Sequence, residues 1–269
     1  MSESVSQMQK QILEMMVAFR DFTRERDLPM FLVGGSALGA FRHQGFIPWD
    51  DDADLAMMRG DFEKMEQAMA ERGNRLGEYV YSPVEHHIIP DAPIGYLYKL
   101  KKCEEGYEIE IKIDIHPIDG VPGNSLLKKV QMLSALVHYL SVYRLPVKNK
   151  GKAINRISRM ILKLTPDFMF RFYIRTSKKI FAAWDDAASK EVCSLFGIAG
   201  YATEVMPRKW LMPLQEVDFA GEKFLAPRDF DAYLSRLYGD YMTLPPEEKR
   251  KPHHAHQRVV VQLPEEFEI

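Results

Sequence analysis

The stretch MFLVGGSALGAFRHQGFIPWDDDADLAM, residues 30–57, decides how the rest of the chain is read. It opens with an apolar run, Met30, Phe31, Leu32 and Val33, which ends in Gly34, Gly35 and Ser36. It closes with carboxylates at Asp50, Asp51, Asp52 and Asp54. The order predicted is strand, small-residue turn, short helix, loop and acidic strand. Two adjacent glycines let the backbone approach another group closely, and Ser36 is the expected cap of a helix through Ala37, Leu38, Ala40 and Phe41. A helix start of this kind presents bare amides to a phosphate.

At the acidic end, Ala53 and Leu55 are expected to face a core. Period two then places Asp52 and Asp54 together on the other face of the strand. Two carboxylates so close repel unless a cation lies between them, and hard oxygen donors suit Mg²⁺ or Mn²⁺. A D-x-D in a loop is also compatible with a solvated acidic turn. The Gly-Gly-Ser turn upstream weighs for the metal site.

The pattern of G-G-S followed by D-h-D-h is similar to the nucleotidyltransferase superfamily. The longer string GGSALGAFRHQGFIPWDDDAD resembles the LicD family of phosphocholine transferases, relatives of the fukutin-related proteins. The resemblance is dense from Phe31 to Met57 and returns at the strand ending in Asp114 and from Tyr238 to Arg250. It is thin between about Leu126 and Tyr201. It implies an α/β (mixed α+β) fold, a nucleotidyltransferase-like core with a central mixed sheet. It also implies a third carboxylate, Asp114, from a neighbouring strand. The family's donors are CDP-alcohols, CDP-choline above all, and its acceptors are hydroxyls of a cell-surface glycan, such as lipopolysaccharide or teichoic acid, or its lipid-linked precursor. Attack at the distal phosphorus would release CMP, whereas attack at the α-phosphorus would release pyrophosphate; the motif fixes neither.

The 269 residues suffice for one large domain or for a core with an appended lobe. Hydrophobic residues at 46% and aromatics at 11% indicate a packed globular protein. A formal net charge of -2 gives no whole-molecule field for nucleic acid, and no nucleic-acid partner is expected. Cys103 and Cys193 fit neither a C-x-x-C clip nor a disulfide scaffold, which favours a reducing compartment. The start, MSESVSQMQKQILEMM, is polar and amphipathic rather than basic and then apolar as in a signal peptide. No uninterrupted apolar run reaches the roughly 18–20 residues of a membrane span. The expected location is cytoplasmic, with peripheral contact at the inner face of the cell membrane left open.

Val5, Met8, Ile12, Met15, Phe19 and Phe22 recur at helical spacing from Ser2 to Arg26, an amphipathic helix that Asp27 to Pro29 end. Another helix is expected from Arg59 to Gly73, with Phe62, Met65 and Met69 inward. His86 and His87 lack partners at ligand spacing and read as surface or core histidines. Tyr96 to Leu100 and Tyr107 to Ile115 are expected to pair around a turn near Glu104 to Gly106. In YEIEIKIDI, Ile109, Ile111, Ile113 and Ile115 should share one face, and Glu108, Glu110, Lys112 and Asp114 the other.

The chain changes character after Pro122. Between Leu126 and Phe181 thirteen lysines and arginines face a single acid, Asp167, with apolar residues interleaved. Two or more helices, joined near Pro146 to Gly151 and at Thr165-Pro166, would build a basic helical lobe. Such a lobe can lie on an anionic membrane, bind a polyanionic acceptor, or carry its charge only as a solvated face. Phe181 to Gly200 reads as a further helix, with Trp184, Val192 and Phe196 in the core. EVDFAGEKFLAP reads as a hairpin turning at Gly221, and Arg228 to Tyr238 as a helix capped at Gly239. Arg250 would close the core near phosphates, and His253, His254 and His256 read as an exposed tail. The expected organisation is a catalytic core over 1–121, the basic lobe over 122–200 and a segment completing the core over 201–269.

Phosphoryl transfer needs neutralised phosphate charge, an oriented nucleophile and an activated leaving group. Asp52, Asp54 and Asp114 are the expected ligands of one or two divalent cations, and Asp114 also the acceptor of the hydroxyl proton. Gly34, Gly35 and Ser36 would hold the donor's phosphates through amides and the Ser36 hydroxyl. Arg42, His43 and Lys99 are candidates to meet those phosphates, with helix-end and outward strand positions as their plain alternatives. Asp50 and Asp51 flank the pair closely enough to orient it, and Trp49 either packs under the loop or stacks on a base. A D-x-D sugar-nucleotide glycosyltransferase is the main rival, although only about 50 residues precede the acidic motif. A true nucleotidyltransferase and a non-catalytic membrane- or glycan-binding protein are the others.

Overall fold

A computed structural model of the chain describes residues 3–83, 94–144, 152–184, 187–195, 201–252 and 259–261. In chain order the elements are α1 (Glu3–Arg24), β1 (Met30–Leu32), α2 (Gly34–His43), β2 (Asp54–Met58), α3 (Arg59–Ala70), β3 (Arg75–Leu76), β4 (Tyr79–Ser82), β5 (Gly95–Cys103) and β6 (Gly106–Val121). The helices α4 (Ser125–Tyr143), α5 (Lys152–Leu164) and α6 (Asp167–Phe181) follow. The remainder is β7 (Glu191–Cys193), α7 (Tyr201–Glu204), β8 (Met206–Pro207), α8 (Arg208–Leu211), β9 (Gln215–Phe219), β10 (Glu222–Ala226), α9 (Phe230–Tyr238) and β11 (Val260–Val261). The fold is mixed α/β.

The main sheet runs in the order β3-β4-β5-β6-β2-β1-β10-β9. β6 is its axis. It pairs with β5 and β11 in antiparallel fashion, with β2 in parallel, and at its far end with β7. The isoleucines at 111, 113 and 115 are buried, and join Phe19 of α1, Leu55 of β2 and Phe62 of α3 in one apolar core. Alternation in the sequence produces this directly, because successive strand residues point to opposite faces.

Ile109 departs from the expected alternation. The β5–β6 register shifts between Lys99 and Leu100, so Lys99 opposes Ile111 while Leu100 opposes Ile109. The extra residue flips the strand, and Ile109 packs with Ile94, Tyr96 and Tyr98. That is the face which carries Lys112 opposite Tyr98 and Asp114 opposite Tyr96.

The basic stretch forms α4, α5 and α6, and Asn124 caps α4 by accepting the Leu126 and Leu127 amides at 2.8 and 3.3 Å. Its joint near 146–151 lies largely outside the described residues, as do His86, His87, His253, His254 and His256. The helix expected over Phe181 to Gly200 does not form among the described residues. Glu191–Cys193 is instead strand β7, laid antiparallel on Asp119–Val121, which places Val192 in the core by strand pairing. A long strand with unpaired backbone outweighs the weak helical preference of that segment. The hairpin β9–β10 turns at Ala220 and Gly221, both at positive φ, and α9 begins at Asp229, whose carboxylate accepts the Ala232 amide at 3.0 Å.

Candidate active site

The site lies where β2 and β6 run side by side beneath the start of α2. Asp54 opens β2 and is the register partner of Asp114, so the two carboxylates project together from neighbouring strands. His116 stands two residues beyond Asp114 on the same face, with Nε2 3.4 Å from Asp54 Oδ1. Asp54, Asp114 and His116 each offer a donor atom, all within 4.8 Å of one another. The Nδ1 atom of His116 is buried and has no hydrogen-bond partner among the described residues.

The glycines are required by close approach. Gly34 has φ +53°, and a Cβ there would lie 2.7 Å from Asp54 Oδ2, while one on Gly35 would lie 3.1 Å from Asp50 Oδ2. The helix starts at Gly34 with Val33 as its N-cap, so Ser36 is inside the first turn and not the cap. Its buried hydroxyl accepts the Asp54 amide at 2.9 Å, which makes Ser36 a fastener of the acidic strand. The Gly34 amide donates to the Tyr233 hydroxyl of α9 at 3.0 Å. Two of the groups expected to hold phosphate, the Gly34 amide and the Ser36 hydroxyl, therefore already have protein partners.

Asp52 lies in the loop before β2, not on the strand. It hydrogen-bonds the Asp50 carboxyl, and stands outside the Asp54, Asp114 and His116 group. Burial, followed by the charges of Asp52 and Asp54, pushes Asp50 up to about 8. Asp51 is buried. The loop is tied to α1, since Gln9 Nε2 donates to the carbonyls of Ile47 at 3.1 Å and Asp50 at 2.8 Å.

Lys112 Nζ reaches both oxygens of Asp114, at 2.7 and 3.0 Å. Burial raises the Asp114 carboxyl above its ordinary value against the pull of Lys112, with Asp54 adding to the rise. Burial alone would lower His116, but the hydrogen bond and charge of Asp54, then the charges of Asp114 and Glu204, hold it above the usual imidazole value. Lys112 thus offsets the Asp114 charge from one side, and His116 lies against Asp54 on the other.

Beside it opens a cavity of about 280 Å³. Gly34, Asp54, His116, Glu204, Tyr233 and Tyr238 supply its polar edge, over apolar walls from Val33, Ile118 and Val192.

Three sequence candidates stand elsewhere. Lys99 is on the opposite face of β5 from the acidic group, paired with Glu78 at 3.1 Å. The register shift does not alter this, because Lys99 opposes Ile111, whereas Tyr98 opposes Lys112. Arg42 and His43 end α2, about 12 Å of helix from Gly34. Arg42 donates to His43 Nε2 at 3.0 Å and to the Tyr241 carbonyl at 2.7 Å, so the pair fastens the segment after α9. Arg250 donates to the Pro245 carbonyl at 2.7 Å and lies over the Trp49 ring at 5.7 Å, which puts it beside the acidic loop. Trp49 itself packs on the core.

His116, Lys112, Tyr233 and Glu204 were not among the sequence candidates. For the first two the signal was present: period two on β6 puts 112, 114 and 116 on one face. Tyr233 and Glu204 come from distant helices, and no local pattern points to them.

Two carboxylates and an imidazole within ligand reach fit a divalent cation by the chemistry of the donor set. Residues 27–133 match the family described as LicD/FKTN/FKRP, nucleotidyltransferase domain. The chain is similar to the lipopolysaccharide cholinephosphotransferase LicD of Haemophilus influenzae, with 26% identity over 246 residues that cover 86% of this chain and 88% of that protein.

Proposed function

We propose that this chain, whose residues 27–133 match the LicD/FKTN/FKRP nucleotidyltransferase domain, is a LicD-like transferase that moves a phospho-alcohol group, phosphocholine first, from a CDP-activated donor to a glycan hydroxyl. The observation that carries the proposal is the register pairing of Asp54 with Asp114 beside Gly34 and the cavity. The acceptor would be lipopolysaccharide or a lipid-linked precursor, by similarity to the Haemophilus influenzae protein's name. The site would be cytoplasmic, at the inner face of the membrane where such a precursor lies.

Asp54 and Asp114, with His116, would hold Mg²⁺ or Mn²⁺, and Asp52 is close enough in sequence to serve a second ion. A bound divalent cation supplies charge neutralisation at the phosphate oxygens and lowers the cost of the departing one. The remaining work falls to the chain's own groups. Asp114 lies deep between Lys112 and His116 and can accept the proton of an attacking hydroxyl. Lys112 carries a fixed positive charge next to Asp114 and can meet a phosphate oxygen of the donor. Gly34 brings the α2 backbone against the acidic strand with no side chain between them, and the Gly35 and Ser36 amides open that helix. The cavity beside Asp54 has apolar walls, two tyrosines and the Glu204 carboxylate, a lining suited to a cationic alcohol such as choline.

The test is a donor screen with CDP-choline, CDP-glycerol and CDP-ribitol in Mg²⁺ and Mn²⁺, reading the nucleotide released. Metal-dependent CMP from CDP-choline is the expected result. Pyrophosphate from a nucleoside triphosphate, with no CMP from any CDP-alcohol, would replace this reading with that of a true nucleotidyltransferase.

A further inference from the structure

Eleven of the fifteen large hydrophobic side chains exposed among the described residues fall between Leu126 and Phe172, in the three helices α4, α5 and α6. On α5, Ile157, Met160, Ile161 and Leu164 recur at i, i+3, i+4 and i+7, one continuous stripe, with exposures of 52, 55, 37 and 71%. Arg156, Arg159 and Lys163 are exposed beside that stripe. The helix holds no acid, and makes no extended packing with another element among the described residues. An amphipathic helix normally turns its apolar stripe to the protein and its charges to water. Here, among the described residues, the stripe has no covering.

The neighbouring helices repeat the inversion. α4 exposes Leu126, Val130 and Leu133 at i, i+4 and i+7, and α6 exposes Phe168 and Phe172 at i, i+4. What they bury is mixed: Gln131, His138 and Ser177 are almost fully enclosed beside Leu140, Phe170 and Phe181. His138 Nδ1 and Ser177 Oγ are 2.9 Å apart, and Gln131 Nε2 donates to the carbonyls of Gly120 at 2.8 Å and Phe181 at 3.0 Å. The lobe is therefore held by internal hydrogen bonds as well as apolar packing, and still presents most of the exposed large apolar side chains outward, the arrangement expected when the surroundings are apolar.

We infer that α5, with the exposed stripes of α4 and α6, is an interfacial anchor that lies in the surface of an anionic lipid bilayer. The apolar stripe enters the acyl boundary while Arg156, Arg159 and Lys163 remain at the headgroups. Charge selects the occupant. The segment 126–181 carries thirteen basic residues and one acid, so a second copy applied to the same face would set like charge against like. A nucleic acid would match the charge but leave the stripe in water. An anionic bilayer satisfies both, each surface Lys or Arg being worth about fivefold in binding. α5 is 13 residues, about 20 Å long, and no helix among the described residues is long and apolar enough to cross a membrane, so the contact is with one leaflet. The inference stands on helix faces and charge, independently of the reaction catalysed.

The test is co-sedimentation of the full chain with vesicles of phosphatidylcholine containing phosphatidylglycerol, against vesicles of phosphatidylcholine alone. Binding is expected to the anionic vesicles and to weaken with salt. Ile161→Gln with Leu164→Gln should cut it by about tenfold or more, and Arg156→Glu with Lys163→Glu by a comparable factor. Nucleotide release from a soluble donor should be the same in both variants as in the parent, which separates a lost anchor from a lost fold. Absence of vesicle binding, equal binding to neutral vesicles, or unchanged binding by both variants would overturn the inference. So would self-association without lipid that the Gln pair abolishes, which would assign the face to a second copy.

Discussion

The sheet around β6 and the helices α4 to α6 solve the same problem in opposite directions. Around β6 the isoleucines go inward, and charge is confined to one face where it builds a site. In the helices Gln131, His138 and Ser177 go inward with Leu140, Phe170 and Phe181, while eleven large apolar side chains face outward. Both stretches are amphipathic, so amphipathicity alone does not say which face a protein covers. The partner decides: for β6 it is the rest of the chain, and for α5 nothing within the described chain covers the stripe.

The contrast can be broken where the sheet is most deeply charged. Arg59 grips Asp119 through two bonds, of 2.6 and 2.9 Å, and the Asp119 side chain is fully buried at the end of β6. Arg59→Ala would take the guanidinium away from that buried carboxylate and should cost about 3–5 kcal/mol in denaturant unfolding. A loss below about 1 kcal/mol would mean the sheet is not fastened there. At the site the contrast sharpens to a single atom. Gly34→Ala sets a Cβ 2.7 Å from Asp54 Oδ2 at a positive φ, and should cost about 1–3 kcal/mol while lowering turnover. Unchanged turnover would show that the α2 start and Asp54 need not touch.

Asp50 gives a pH signature. Its folded value of about 8 lies above that of the unfolded chain, so the folded protein holds a proton which the unfolded one releases. Stability is therefore lost as pH rises from the ordinary carboxylate range towards 8, and the loss is complete above it. Asp50→Asn should stabilise the metal-free protein in denaturant unfolding more at pH 8 than at pH 6, by a net on the order of 1 kcal/mol once the lost bond to Asp52 is counted. An equal gain at both values would show that Asp50 is ionised throughout. The smallest effect belongs to the lobe. Ile161→Gln with Leu164→Gln should change stability in water by no more than about 1 kcal/mol, because Leu164 is exposed and Ile161 partly so.

Much of the sheet was legible because period two is an arithmetic signal. It gave β6, the pairing with β5 and the common face of 112 and 114, and the Gly-Gly-Ser and acidic runs lie at the two ends of the candidate site. Three things lay beyond it. The shift at Lys99 and Leu100, which moves Ile109 to the other face, is set by cross-strand packing and leaves no local mark. Ser36 looked like a cap because serine usually is one, but the Asp54 amide claims its hydroxyl. Residues 191–193 looked helical until the exposed end of β6 offered a partner. His116 was missed for a simpler reason: the alternation was followed to Asp114 and no further.

Titration of the chain with Mn²⁺, beside Asp54→Asn and Asp114→Asn, tests the central claim most directly. Mn²⁺ binding in the parent and its loss in each variant, with the fold retained by circular dichroism, is the result predicted. Binding that persists undiminished in both variants would contradict a cation site made by the paired aspartates of β2 and β6.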